Sequence, residues 1–194
     1  MKNIKGLVVG VGGQGIISFT RVLGEACVKK DLPIIVSEVH GMAQRGGVVE
    51  SSININGKSP LVGEGEADFI VAFEPAEALR FLKRAKKQAK ILVSKEPVLP
   101  PTVKEGLAEY PDLSPMFEKA KSYFSEIYFI PGQELAKQAG TTKALNIVML
   151  GACIALNIFP LSIEEVKTVI TEVLPKKIHE VNLKAVTLGY EYFS

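Results

Sequence analysis

The chain has 194 residues, 47% of them hydrophobic, which is enough for one well-filled core, and no Pro/Ser-rich linker divides it, so a single domain over 1–194 is expected. Lys and Arg number 23 against 21 acids, and a formal charge of +2 carries neither the basic footprint of a nucleic-acid binder nor an acidic surface. The two cysteines, Cys27 and Cys153, have no CxxC spacing and lie in helix-like apolar patterns, which argues against a disulfide framework or a cluster of four thiolates on this chain and fits a reducing, cytoplasmic compartment.

The start, Met1 to Lys5 followed by apolar residues, imitates a secretion signal, but glycine cuts the run after three residues and no cleavage pattern follows. Ile4 to Val9 reads instead as a buried strand. It feeds Gly10-Val11-Gly12-Gly13-Gln14-Gly15, and from Ile16 an apolar 3.6-residue rhythm predicts a helix to about Lys30. Asp31-Leu32-Pro33 stops that helix. Ile34-Ile35-Val36 is β-branched and continuous, as in a central parallel strand, and closes a βαβ unit at Glu38.

Val39 to Gly47 lacks either periodicity and reads as a loop at the carboxyl edge of the sheet. Val48 to Ile55 alternates apolar and polar, predicting a half-exposed strand that enters a hairpin at Asn56-Gly57. After a surface turn at 61–66, Ala67 to Phe73 is another buried strand, and Pro75 opens a helix. That helix is expected to run to Lys90, with six basic residues between Arg80 and Lys90 forming a solvated face. Ile91 to Ser94 and Ile127 to Ile130 are further strands, separated by a proline-marked stretch and a helix over 116–123.

Helices fill the remainder. Glu134 to Ala139 ends at Gly140, and Lys143 to Leu156 is nearly apolar all round. Its core of 13 residues, Ala144 to Leu156, falls short of the roughly 20 that span a bilayer, so a buried helix is expected, with a contribution to a subunit interface also open. Ser162-Ile163-Glu164-Glu165 is a capping-box pattern. A last helix, 177–192, is expected to bury Ile178, Val181, Ala185, Val186 and Leu188 and to pair Glu180 with Lys184. The result is an α/β, Rossmann-like three-layer domain, its sheet mostly parallel with a local antiparallel hairpin and a helical C-terminal region.

Gly10, Gly12 and Gly15 fit GxGxxG between strand and helix, and Glu38 lies 23 residues beyond Gly15, where a carboxylate can meet a ribose hydroxyl. A dinucleotide site and a tight turn that only packs helix on strand both explain this. His40, beside Ser37, Glu38 and Arg45, is either an acid–base group or a loop histidine bonded to backbone; His179 is expected in solvent. Arg45, flanked by Gln44 and Gly46-Gly47, suits a two-pronged clamp on a carboxylate or phosphate and equally a subunit contact. Ser37, Ser51 and Ser52 lack a GxSxG elbow, and no spacing suggests a metal.

Taken with Gly10 to Gly15, the run Glu38-Val39-His40-Gly41-Met42-Ala43-Gln44-Arg45-Gly46-Gly47 resembles the gamma-type domain of the 2-oxoacid:ferredoxin oxidoreductases, most closely the beta subunit of the indolepyruvate enzymes. Glu66-Ala67-Asp68, Phe73-Glu74-Pro75 with Glu77 to Arg80, Asn146 with Leu150-Gly151-Ala152, and Asn182 with Ala185 and Gly189 extend the likeness over nearly the whole chain. The resemblance implies an accessory subunit of an enzyme that oxidatively decarboxylates an aryl 2-oxoacid, with coenzyme A as co-substrate and ferredoxin as acceptor. It places thiamine diphosphate, magnesium and iron–sulfur clusters on a large alpha subunit, since this chain has no Gly-Asp-Gly thiamine motif. Because anion-suited groups cluster at one sheet edge, Gly10, Gly12, Gly13, Gln14, Gly15, Glu38, Gln44 and Gly46 are expected to form an anion or coenzyme A crevice that, with His40 and Arg45, faces the partner's active centre. A gamma subunit of a pyruvate or branched-chain 2-oxoacid enzyme, a free-standing NAD-binding oxidoreductase and a non-catalytic scaffold remain as alternatives.

Overall fold

In a strand, successive side chains point to opposite faces, and here that alternation divides the core in two. The computed structural model describes residues 2–40 and 47–194. Six strands, β1 (Ile4–Val11), β2 (Ile34–His40), β3 (Val48–Ile55), β4 (Ala67–Ala72), β5 (Ala85–Ser94) and β6 (Ile127–Ile130), form one sheet in the order β2-β3-β1-β4-β5-β6. Only β3 runs against the others; β1, β4, β5 and β6 pair parallel in sequence. Val8, Val71 and Leu92 enter the larger core, beneath helices α1 (Ile16–Lys29), α5 (Gly132–Ala139), α6 (Leu145–Ala155), α7 (Ile163–Val173) and α8 (His179–Glu191). Leu7, Val9, Ile70 and Val93 enter the smaller one, with Ala78 of α2 (Pro75–Phe81) and Phe117 of α4 (Ser114–Lys121); α3 (Pro101–Lys104) is a single turn.

The three-layer reading and the antiparallel hairpin hold, but the hairpin is elsewhere. β2 is an edge strand paired only with β3, not a central parallel one, and it extends through His40. β3 is an inner strand with Ser51 to Ile55 all buried, because Ser51, Ser52 and Asn54 are small enough to lie beneath a layer. Asn56, at φ +61°, does turn the chain, yet no hairpin follows: its N–H bonds Pro33 O (2.8 Å), and the Asn54 amide donates to Ser59 O (2.6 Å).

A second correction concerns Arg80 to Lys90. The helix stops at Phe81, a 3-10 turn (Leu82–Arg84) follows, and β5 starts at Ala85 with a bulge opposite β4. Lys and Ala favour helix, but Ala85 and Ala89 are buried when the segment pairs as strand, and tertiary burial overrides the weaker local preference. The basic residues are paired as well as solvated: Arg84 with Glu50 (2.8 Å), Lys86 with Asp68 (2.6 Å), Lys83 with Glu64 (2.9 Å), and Lys90 Nζ donating to Leu156 O (2.7 Å).

The helical region follows the reading more closely. Ser162 Oγ accepts from Glu165 N (3.2 Å) while Glu165 Oε2 accepts from Ser162 N (2.6 Å), completing the capping box. Every residue from Leu145 to Ile154 is buried inside this chain, so α6 is core and offers no face to another subunit. On α8 the buried residues are Asn182, Ala185, Val186 and Gly189; Ile178 is exposed, Val181 and Leu188 are half-buried, and no ion pair joins Glu180 to Lys184 among the described residues. His179 is half-buried with Nε2 2.7 Å from Leu174 O, not free in solvent. Among the described residues no helix is long and apolar enough to cross a membrane.

Candidate functional site

The carboxyl ends of β1, β2, β4, β5 and β6 share one edge of the sheet. From adjacent strands β1 and β4 the chain leaves to opposite faces, into α1 and α2, and the gap between such connections is where open α/β sheets form crevices. The glycine turn lies there. Gly13 (φ +99°) and Gly15 (φ +83°) hold backbone conformations that side chains resist, and Gly15 begins α1 without a side-chain cap.

Gln14 uses most of this room itself. Its Oε1 accepts from Val11 N (2.8 Å) and its Nε2 donates to Phe73 O (2.7 Å), so the amide bridges the ends of β1 and β4. A Cβ on Gly10 would lie 2.5 Å from Gln14 Oε1 and 2.9 Å from Phe73 Cβ. Gly10 therefore makes space for Gln14. Gly15 is backed by Asn146, whose side chain would be 3.2 Å from an added Cβ, and Gly12 N donates to Gly47 O (2.9 Å). At Gly13 the turn opens, with no atom within 4 Å of the point a Cβ would occupy.

That opening belongs to a cleft of about 400 Å³ lined by Gly13, Gln14, Gly15, Gln133, Thr142, Lys143 and Leu145. The volume suits a small-molecule site. The chain places Thr142 and Lys143 there because Gly140 (φ +130°) ends α5 and Thr141 Oγ1 accepts from Lys143 N (3.3 Å), turning the backbone into α6. Lys143 is exposed and has no ion-pair partner among the described residues, so the charge facing the cleft is positive. The amino end of α5, by contrast, is occupied: Glu96 Oε2 accepts from Gln133 N (3.3 Å) and Ser94 Oγ (3.0 Å). Lys143 was not singled out from sequence; a Thr-Thr-Lys step between a glycine helix stop and an apolar helix is the signal that marks it.

Glu38 is not brought to this cleft. β3 lies between β2 and β1, which puts Glu38 roughly 10 Å across the sheet, two strand spacings, from the glycine strand. Its Oε1 is 3.1 Å from Thr20 Oγ1 on α1. His40 closes β2 at the same sheet edge, and Gln44, Arg45 and Gly46 lie outside the described residues.

A polar cluster beside the turn escaped the reading of single residues. Glu74 caps α2 by accepting from Glu77 N (3.0 Å) and accepts from the Tyr110 hydroxyl (2.5 Å). Glu74 and Glu77 are both buried, and Glu77 Oε2 has no hydrogen-bond partner, its other oxygen meeting Arg80 at 3.2 Å. Burial raises the Glu77 carboxyl above its ordinary value, Arg80 opposing and Glu74 adding to the rise. A carboxyl raised on folding stabilises below its unfolded value, near 4.5, and that contribution is lost as pH climbs through the folded value. Accordingly, Glu77→Gln should gain stability relative to the wild type as pH rises from about 4.5 to 8. Urea midpoints that keep a constant difference across that range would refute it.

Cys27 and Cys153 are buried thiols, burial pushing Cys27 up to about 12 and Cys153 well above its ordinary value. Neither offers the thiolate a cluster or zinc needs. Among the described residues no three His, Cys, Asp or Glu side chains gather as metal ligands.

Residues 6–192 match the family described as pyruvate ferredoxin/flavodoxin oxidoreductase. The chain is 37% identical over 185 residues to indolepyruvate oxidoreductase subunit IorB of Archaeoglobus fulgidus, covering 95% of this chain and 92% of that one. It is 38% identical over 192 residues to the IorB subunit of Pyrococcus horikoshii, covering 97% and 95%. Its fold matches the crystal structure of pyruvate oxidoreductase subunit PORC from Thermotoga maritima with a TM-score of 0.72 at 19% identity, over 98% and 97% of the two chains. A match across almost the whole sequence, with a six-stranded sheet bearing the glycine turn at its carboxyl edge, establishes that the chain belongs to the pyruvate ferredoxin/flavodoxin oxidoreductase family.

Proposed function

We propose that this chain is the accessory, beta-type subunit of a cytoplasmic 2-oxoacid:ferredoxin oxidoreductase that converts aryl 2-oxoacids such as indolepyruvate to acyl-CoA, and that its glycine cleft holds an anionic part of coenzyme A. The relatives named for indolepyruvate oxidoreductase support the substrate class. The observation that carries the role of the cleft is that Lys143, without an ion-pair partner among the described residues, lines it together with the exposed Gly13 and the half-buried Gly15. Backbone amides at a helix start and a nearby ammonium favour a phosphate or carboxylate.

The catalytic groups belong to a large alpha subunit carrying thiamine diphosphate, magnesium and iron–sulfur clusters, with ferredoxin reached through the complex. Thiamine diphosphate supplies the decarboxylating chemistry there. On this chain, Gly13, Gly15, Thr142 and Lys143 bind and orient, while His40 and Arg45 approach the partner's active centre. The NAD reading is disfavoured on geometry, because Gln14 fills the gap beside Gly10 and β3 separates Glu38 from the turn.

In the reconstituted complex, Lys143→Gln and Arg45→Ala should each raise the Michaelis constant for coenzyme A or the oxoacid about fivefold to tenfold, the loss of one charge-assisted contact. Unchanged constants for both substrates in both variants would overturn the binding role. A panel of indolepyruvate, phenylpyruvate, pyruvate and branched-chain oxoacids decides the substrate; a preference for pyruvate would overturn the aryl assignment.

A further inference from the structure

We propose that a second copy of this chain docks against α1 and the free edge of β2, joining the two six-stranded sheets across a two-fold axis. The contact is independent of the glycine cleft and of the ligand proposed for it.

Helix α1 supplies one half of the surface. Ile17 and Val28 are 53% and 63% exposed, and with Gly24 between them they fall at helical spacing along one flank. Glycine inside a helix costs stability relative to alanine, yet no atom lies within 4 Å of the point its Cβ would occupy, so no contact among the described residues requires it. A second helix crossing close to the backbone does require it. The ion pairs of α1, Lys29 with Glu172 and Lys30 with Glu165, go to α7 and leave this flank free. Arg21 and Glu25, exposed beside the stripe, have no ion-pair partner among the described residues.

Strand β2 supplies the other half. It ends the sheet, and its outer edge is unpaired among the described residues. Asn56 N donates to Pro33 O, and the pairing continues from Ile34 with Ile55, so alternation turns the backbone groups of Ile35, Ser37 and Val39 toward β3 and those of Ile34, Val36 and Glu38 outward. Natural edges are commonly blunted by lysine, proline or a bulge, and Ile34 to His40 carries none of these. Val36 lies on the α1 face, because its β3 partner Ile53 belongs to the core beneath α1 and Glu38, two residues on, meets Thr20.

The two halves are level with each other. α1 returns from the carboxyl to the amino edge of the sheet, so stepping back from Glu38 to Val36, roughly 7 Å, advances about four residues along the helix, from Thr20 to Gly24. A two-fold axis near that point, perpendicular to the sheet, pairs Val36 with its own counterpart and sets each outward N–H against an outward C=O. It also keeps both α1 helices on one face, antiparallel, so that Ile17 meets the other copy's Val28 and Arg21 passes over the open Gly24 toward Glu25. The surface therefore complements itself in shape, hydrogen bonding and charge, which is what a second copy in an isologous contact needs.

Sedimentation of the full chain over a concentration series should show a monomer–dimer equilibrium. Gly24→Gln should weaken the dimer about tenfold or more by parting the helices. The same substitution should raise the urea midpoint of the diluted, monomeric chain, since glutamine suits a helix better than glycine. Arg21→Glu and Glu25→Arg should each weaken self-association, and the two variants mixed should pair with each other in preference to themselves, because opposite charges then face across the axis. A Gly24→Gln dimer as tight as the wild type, or mixed variants no tighter than each alone, would overturn the proposal. So would a free chain that is monomeric throughout, with Gly24→Gln instead releasing the large subunit from the reconstituted complex, which would assign this face to that subunit.

Discussion

Gly151→Ala is expected to destabilise the chain by about 3 kcal/mol, at the upper end of what overpacking costs in a filled core. Helices α6 and α8 make the most extensive helix–helix contact in the protein, and they meet backbone to backbone. An added Cβ on Gly151 would collide with Val186 O and lie 3.0 Å from Tyr190 N. From the other side, a Cβ on Gly189 would collide with Val148 O and lie 3.0 Å from Val148 Cα. These are main-chain atoms of rigid helices, with no rotamer to escape into, so the helices must separate. Separation opens voids around Ala152, Ala185 and Val186, all fully buried. Gly189→Ala should therefore fall in the same range, and the double variant should cost less than the sum, because the first substitution already parts the helices. Gly24 on α1 is the control: a Cβ there meets nothing within 4 Å, and alanine should stabilise that helix by up to about 1 kcal/mol. Urea midpoints in which Gly151→Ala and Gly24→Ala move the same way would defeat this account.

Those two glycines illustrate what a single sequence conveys. Gly151 and Gly189 were visible as matches to a known family, but why glycine is required appears only once α6 and α8 are docked. Periodicity located all six strands, since each carries a run of β-branched or apolar residues, and it identified α6 as a core helix. What it could not give was pairing. The alternation in β3 describes a strand with one polar face, and nothing local distinguishes an exposed polar face from serines and an asparagine buried between layers. β2 looked central because Ile34-Ile35-Val36 is apolar, yet it is an edge whose inner neighbour arrives later in the chain. Likewise, Ala85 joins a sheet that supplies the pairing its own propensity does not predict.

The site was legible in the same partial way. The glycine spacing marked the crevice, because φ above zero and a helix start are encoded by residue type. Lys143 and Gln133 come from segments more than a hundred residues away, brought in by the crossing of helices over the sheet edge. Glu74 and Glu77 were read as parts of a motif, and their burial with Tyr110 depends on a loop that no periodicity places. Glu38 sits at the spacing of a ribose ligand, and β3 removes that meaning by lying between it and the turn.

Gln14→Glu is expected to cost about 2 kcal/mol near neutral pH, since it strips a partly buried contact of its donor and places charge there. The substitution exchanges one NH₂ for an oxygen and leaves size unchanged. In the native turn both ends of the amide are engaged, Oε1 accepting from Val11 N at 2.8 Å and Nε2 donating to Phe73 O at 2.7 Å. A carboxylate can still accept from Val11 N, but its second oxygen would face the Phe73 carbonyl, acceptor against acceptor, between the carboxyl ends of β1 and β4. Protonation cures this, because a carboxylic O–H can donate to Phe73 O. The folded variant therefore holds its proton more tightly than the unfolded chain does, and its added stability is present at acid pH and lost as pH rises through the folded value. Gln14→Leu, which removes both bonds, has no such rescue and should stay destabilised at every pH. Urea midpoints at pH 5 and pH 8, each referred to wild type, separate the two: a deficit for Gln14→Glu that is equal at both would mean that the side chain does not bridge β1 and β4. Such a result would also reopen the gap beside Gly10, which the bridging amide now fills.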